Sequence, residues 1–225
     1  MHKKRSIIIT IIAMIMAIIT IIVISQYKSI QAFFTDKAKI TNKFKIGQIE
    51  ATVTEPNYKD NQTLKPNEEI IKDPTISNTG KIPAYIRAQI YVPISKEIKY
   101  VDENENVITP EQEIEILKYT VNEGWQLVTE DGFYGTYTDK DGNVYKVYTY
   151  KYMQNGQEKI INPNEEISTP VFSKVKAINY LDTDTTINLK LQVSAIAVQQ
   201  EEGKTAEEMW ANYKNQNETA IIGIE

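Results

Sequence analysis

The side chains that most often carry chemistry are scarce in this sequence. The 225-residue chain has no Cys and a single His, His2, beside the initiator methionine. That removes disulfides, thiolate zinc sites, iron–sulfur clusters and cysteine nucleophiles. A domain that starts beyond residue 2 also lacks the imidazole that zinc hydrolysis or a Ser-His-Asp triad needs. Carboxylates, hydroxyls and lysines remain. Asp139-Lys140-Asp141-Gly142-Asn143 has the composition of a calcium loop, but an EF-hand register puts Tyr137 at the first ligand and Tyr148 at the last. It reads instead as a hairpin turn, with Gly142 supplying positive φ between two Tyr-rich strands. Ser173-Lys174-Val175-Lys176 spells Ser-x-x-Lys without its Ser-Asp-Asn and Lys-Thr-Gly partners. Asp102-Glu103-Asn104-Glu105-Asn106, and Asp182 with Asp184, read as solvated acidic loops. The nine glycines form neither a Gly-x-Gly-x-x-Gly motif nor a phosphate loop. No catalytic, metal-ligating or cofactor-binding residue is assigned, and no cofactor is expected.

One carboxylate pattern recurs. Pro66-Asn67-Glu68-Glu69-Ile70 returns 97 residues later as Pro163-Asn164-Glu165-Glu166-Ile167. Paired carboxylates can serve acid–base chemistry, but neighbours in a strand point to opposite faces, so Glu68 and Glu69 cannot flank one substrate. The repeat reads as a reused turn that launches a strand, since Pro fixes φ and Asn tolerates turn geometry.

The elements around these residues begin with an export signal. Lys3, Lys4 and Arg5 precede residues 7–24, where 16 of 18 positions are apolar. A positive segment followed by an apolar run is a secretory signal. The run is long for a signal and just short of a comfortable bilayer span of about 20 residues. Cleavage and retention as an anchor are both open, and both place the rest of the chain outside the cytoplasm. Ala32 is the best small residue for cleavage, which puts the cut before Phe33. Residues 33–225 then hold 21 bases against 30 acids, a net charge of −9. Such a domain is not built to neutralise nucleic-acid phosphates or anionic lipid, so contact with the membrane is expected only through the N-terminal segment.

Residues 33–225 read as one domain large enough for a full core. β-branched and aromatic residues dominate, which favours strands. Strands are expected over 44–54, 70–77, 84–94, 125–129, 134–138, 144–153, 167–178 and 187–198. In 84–94 the alternation of Ile86, Ala88, Ile90 and Val92 marks a buried face. Two capping boxes predict short helices. Thr109-Pro110-Glu111-Gln112 leads into Ile114, Leu117 and Val121, and Thr205-Ala206-Glu207-Glu208 leads into Met209, Trp210 and Tyr213. The expectation is an all-β, jelly-roll-like β-sandwich with two short peripheral helices, preceded by an N-terminal hydrophobic signal helix.

The segment after the signal resembles the start of the camelysin/TasA family of exported Gram-positive proteins. Ala32-Phe33-Phe34-Thr35-Asp36 is similar to that family's signal boundary, and Thr41-Asn42-Lys43-Phe44-Lys45-Ile46-Gly47 to its first strand. The likeness continues through Leu64-Lys65-Pro66-Asn67, Lys72-Asp73-Pro74-Thr75-Ile76-Ser77-Asn78-Thr79-Gly80 and Ala84-Tyr85-Ile86-Arg87. It returns in Pro170-Val171-Phe172-Ser173-Lys174-Val175 and Ala206-Glu207-Glu208-Met209-Trp210, while residues 95–160 match no named pattern. The resemblance implies a jelly roll exported through a SipW-type signal peptidase, at the cell surface or as a subunit of an extracellular biofilm fibre. It also carries a metallopeptidase label, which a domain without His or Cys opposes.

Three functional readings follow. In the first, cleavage frees residues 33–43, and Phe33, Phe34, Ile40 and Phe44 form the polymer interface of a donor strand that pairs with an exposed sheet edge of the next copy. A head-to-tail contact that does not close makes a filament. In the second, the signal stays as an anchor and the domain is a monomeric surface adhesin or binding module. The third is a peptidase of the camelysin type.

Overall fold

The computed structural model describes residues 49–59, 64–181 and 190–216. Ala32, Phe33, Phe34, Ile40 and Phe44, the signal, and Asp182 and Asp184 lie outside the described residues.

The described chain is an all-β sandwich. Its axis is β4 (Ala84–Ser95), the longest strand. β4 pairs antiparallel with β11 (Val144–Gln154), from Arg87 opposite Lys151 to Pro93 opposite Tyr145. On its other side it pairs with β15 (Gln192–Gln199), from Ala84 opposite Gln199 to Tyr91 opposite Gln192. β7 (Ile114–Glu115), β12 (Gln157–Glu158) and β13 (Ile160–Ile161) extend this sheet. β9 (Trp125–Leu127) and β10 (Gly135–Thr138) lie one after the other along the far side of β11. A second sheet orders β2 (Glu69–Ile71), β14 (Phe172–Ala177) and β8 (Leu117–Val121). β1 (Ala51–Thr54) pairs with β3 (Thr75–Asn78), and β5 (Tyr100–Val101) with β6 (Val107–Ile108). Tyr119 of β8 packs on Phe172 of its neighbour β14, 4.8 Å between ring centroids, and meets the larger sheet through its hydroxyl, 3.2 Å from that of Tyr150 on β11.

The expected alternation in β4 holds for one face, since Ile86, Ala88, Ile90 and Val92 are buried. The opposite face, Tyr85, Arg87, Gln89 and Tyr91, is buried as well. Part of its cover is α1 (Ala206–Gln216), whose Met209, Trp210 and Tyr213 form one cluster with Tyr85, Val128, Phe133, Ile196 and Val198. The capping box that predicts α1 is formed: Glu208 N–H donates to Thr205 Oγ1, and Thr205 N–H to Glu208 Oε2.

The other predicted helix is a correction. Residues 109–113 are irregular, and Ile114, Leu117 and Val121 fall in β7 and β8. Five of the eight residues 114–121 are β-branched or aromatic, and Leu117 and Val121 pair with Ala177 and Phe172 of β14. Cross-strand pairing outweighs a single local cap. Among the described residues α1 is therefore the one α-helix. The strand expected over 70–77 is also two strands, broken at Lys72-Asp73-Pro74, where Pro74 has no N–H to give a ladder.

The repeated motif forms the same turn twice. Asn67 and Asn164 sit at φ of 60° and 63°. Glu68 N–H donates to Lys65 O, and Glu165 N–H to Asn162 O. The Glu68 and Glu165 carboxylates each accept back from the N–H three residues earlier. The predicted hairpin at 139–143 is present too, with Gly142 at φ 84° between β10 and β11.

Candidate functional site

The deepest charges among the described residues belong to Arg87 and Glu158. Arg87 leaves β4 on the face toward α1, and its side chain is fully buried. Its Nε and Nη2 donate to Glu158 Oε1 and Oε2 at 3.1 and 3.0 Å, a bidentate pair. Trp210 of α1 donates its indole N–H to Glu158 Oε1 at 2.8 Å. The Trp210 and Phe133 rings lie 4.3 and 4.8 Å from the guanidinium carbon and meet each other edge-on. Glu130 stands 3.6 Å from Nη1. Both Glu158 oxygens are occupied and the group is sealed from water, so it ties α1 to the sheet rather than reacting with a substrate. Sequence reasoning gave Arg87 no role. The available signal was a lone arginine, the only one after Arg5, inside an apolar strand pattern.

The other low-exposure carboxylates have partners as well. Glu55 pairs with Lys72 at 2.7 Å. Asp73 accepts from the backbone and side-chain nitrogens of Asn57. In the 139–143 turn, Asp139 accepts from Asp141 N, Asn143 N and Asn143 Nδ2. Burial pushes its carboxyl up, and these bonds outweigh burial and leave it below the usual range. Asp102 holds its own loop the same way through Asn104 and Asn106, and the Asn106 N–H bond is the main cause of its lowered pKa. These two acids, Asp139 from the calcium-like segment and Asp102 from the acidic loop, orient their own loops.

Tyr148 and Tyr150 of β11 and Tyr119 of β8 are held neutral. Burial is the main cause for Tyr119, Tyr148 and Tyr150. For Tyr119, the neighbouring Tyr150 adds to the upward shift. Tyr148 donates its hydroxyl to Glu115, which also pairs with Lys146 at 3.2 Å. Such phenols are poor nucleophiles at physiological pH. Among the described residues no three of His, Cys, Asp and Glu converge as metal ligands. With no Cys, and no His beyond residue 2, the residues present do not fit a structural or catalytic zinc ion.

What the sandwich does present is sheet edge. Among the described residues β2 has β14 as its only strand partner, and β10 has only β11. Ile71 of β2 is 49 % exposed. The donor residues expected to seek such an edge, Phe33, Phe34, Ile40 and Phe44, lie outside the described residues.

The sequence matches the family described as camelysin metallo-endopeptidase over residues 4–217. No curated protein and no solved structure matches the chain.

Proposed function

The chain belongs to the camelysin family, a family of cell-surface and extracellular proteins, and from that premise we propose that it is an exported structural protein, a subunit of an extracellular biofilm-matrix fibre. In this reading the sandwich is a jelly roll. Residues 1–32 direct export, and a SipW-type signal peptidase cuts between Ala32 and Phe33. Residues 33–43 then pair with an edge strand of the next copy, and Phe33, Phe34, Ile40 and Phe44 form the contact. Main-chain hydrogen bonds supply affinity and side-chain pockets supply register.

The observation that carries this reading is the edge at β2, where a β-branched apolar side chain, Ile71, stands half exposed and the strand has one partner, β14, among the described residues. Such an edge invites another strand unless it is covered or charged. Charge supports the pairing: residues 33–47 hold four lysines and one aspartate, and residues 48–225 hold 17 bases against 29 acids. Opposite signs favour the encounter and fix its register. Electron microscopy of the purified 33–225 and 44–225 forms tests it, with fibres expected only from the first.

A second reading, a membrane-anchored monomeric surface module, is favoured by one feature, the apolar run of near-spanning length. N-terminal sequencing and mass of the extracellular form decide between them, since an intact 1–32 segment belongs to the anchored module. The peptidase reading has the family's description behind it and no fitting metal site among the described residues. Casein hydrolysis with and without chelator tests it, and no hydrolysis is expected in either case.

A further inference from the structure

A cleft in two parts runs along the β10 side of the larger sheet. One part is a hollow of about 360 Å³, in the notch where β9 stops at Leu127 and β10 begins at Gly135, both against β11. Leu127, Val128, Tyr134 and Val147 give it an apolar wall. The other part, about 490 Å³, is bounded by strands of both sheets and is lined by Glu113, Glu115 of β7 and Lys118 of β8. Thr136 and Lys146, directly opposite each other on β10 and β11, line both parts. The cleft is of the size that takes small ligands. Tyr134 is 47 % exposed, yet its hydroxyl donates to Asp131 Oδ1 at 2.9 Å, so the bare ring is held in place. Leu127, 45 % exposed, stands in the same hollow. A single exposed apolar side chain needs no account, but two in one hollow do. At the junction Glu115 accepts from the Tyr148 hydroxyl and pairs with Lys146 at 3.2 Å, and the Lys146 ammonium lies 5.2 Å from the centre of the Tyr148 ring. Beyond it, Glu113 and Lys118 have no ion-pair partner among the described residues.

We propose that this cleft binds a neutral polysaccharide, with one sugar ring on Tyr134 and Leu127 and its neighbour reaching Thr136, Glu113 and Lys118. A ligand that spans both parts must meet an aromatic ring, a hydroxyl, a carboxylate and an ammonium. A sugar chain can meet all four. The weakly positive C–H groups on one face of a pyranose suit the negative face of the Tyr134 ring. Each sugar hydroxyl both donates and accepts, so one can give to Glu113 while another takes from Lys118. Other ligand classes fit less well. The lining holds two carboxylates, Glu113 and Glu115, and two ammoniums, Lys118 and Lys146, which leaves no excess charge to hold a polyanion or a polycation. A purely apolar ligand of that length would strip water from Glu113 and Lys118 and replace none of its bonds. The tethered Tyr134 ring and the Lys146–Glu115 pair are already ordered, which limits the entropy lost on binding. The proposal does not rest on the fibre reading.

Affinity electrophoresis tests it. The purified exported chain is run through native gels, each cast with one soluble neutral polysaccharide: dextran, galactomannan, hydroxyethylcellulose or starch. A gel with polygalacturonate is the anionic comparison. Retardation is expected in at least one neutral gel, and added salt should change it by less than about twofold, because salt screens only attraction between charges. In that gel Tyr134→Ala, and Glu113→Ala combined with Lys118→Ala, should each weaken retention by about tenfold, the worth of one stacked ring or its equivalent in hydrogen bonds. Both variants should keep the parent circular dichroism and urea midpoint. Val107→Ala, at an exposed apolar position of β6 outside the cleft, should leave retention unchanged. No retardation in any neutral gel, retardation in polygalacturonate alone, or retention that survives either cleft variant would overturn the proposal. Equal loss in Val107→Ala would overturn it as well.

Discussion

Replacing Glu158 would strand a guanidinium that the fold has sealed from water. Removing one member of a buried ion pair typically costs about 3–5 kcal/mol. Glu158→Ala is expected to lower the unfolding free energy by that order in a urea titration. Arg87→Met combined with Glu158→Leu removes both charges and should recover most of the loss, because apolar replacements of buried pairs are often neutral. A double variant as unstable as Glu158→Ala would show that the cluster acts through something other than charge pairing. The tyrosines give a prediction in pH. The Tyr119 phenol is raised by burial and by the nearby Tyr150, while an unfolded phenol ionises near pH 10. Above that pH the unfolded state releases protons that the folded state keeps. Stability is therefore fully present below about pH 10 and falls as pH rises beyond it. Tyr119→Phe should reduce that fall. In the parent chain, part of the tyrosinate absorbance should emerge together with unfolding rather than before it.

At the scale of elements, the readable features were those set by local chemistry. The Thr205 box opens α1, the 139–143 turn is a hairpin, and the two Pro-Asn-Glu-Glu-Ile copies make one turn with Asn at positive φ. Alternation in 84–94 located β4. The sequence failed where distant partners decide. Thr109-Pro110-Glu111-Gln112 has a helix start as good as the one at Thr205, yet residues 114–121 are strands because β14 is there to pair with. Arg87 is opaque for the same reason: its partners Glu158 and Trp210 lie 71 and 123 positions away, and nothing local signals their meeting. The residues assigned to the polymer contact, Phe33, Phe34, Ile40 and Phe44, were read from apolar spacing along an extended segment and lie outside the described residues. Gly124 offers a check at this scale. It sits at φ 90°, and an added Cβ would lie 2.6 Å from the Tyr152 ring, which packs on Trp125. Gly124→Ala should destabilise by more than about 1 kcal/mol, read as a lower urea midpoint at unchanged slope. An unchanged midpoint would mean that the β9–β11 ladder adjusts freely.

At the scale of the whole molecule, an acidic exported sandwich positions its charges for structure. Its buried ion pair fastens a helix, its turn acids hold their own loops, and among the described residues β2 has a strand on one side only. Chelator is accordingly expected to leave the thermal unfolding midpoint of the 33–225 form unchanged. A fall on chelation would point to a bound metal that contributes to folding. The central claim is that this domain builds fibres through the strand freed by cleavage. The most direct measurement is negative-stain electron microscopy of purified 33–225 beside 44–225, matched in concentration and shown by circular dichroism to be equally folded. The account predicts filaments from 33–225 and dispersed particles from 44–225. Filaments from both, or from neither, would contradict it.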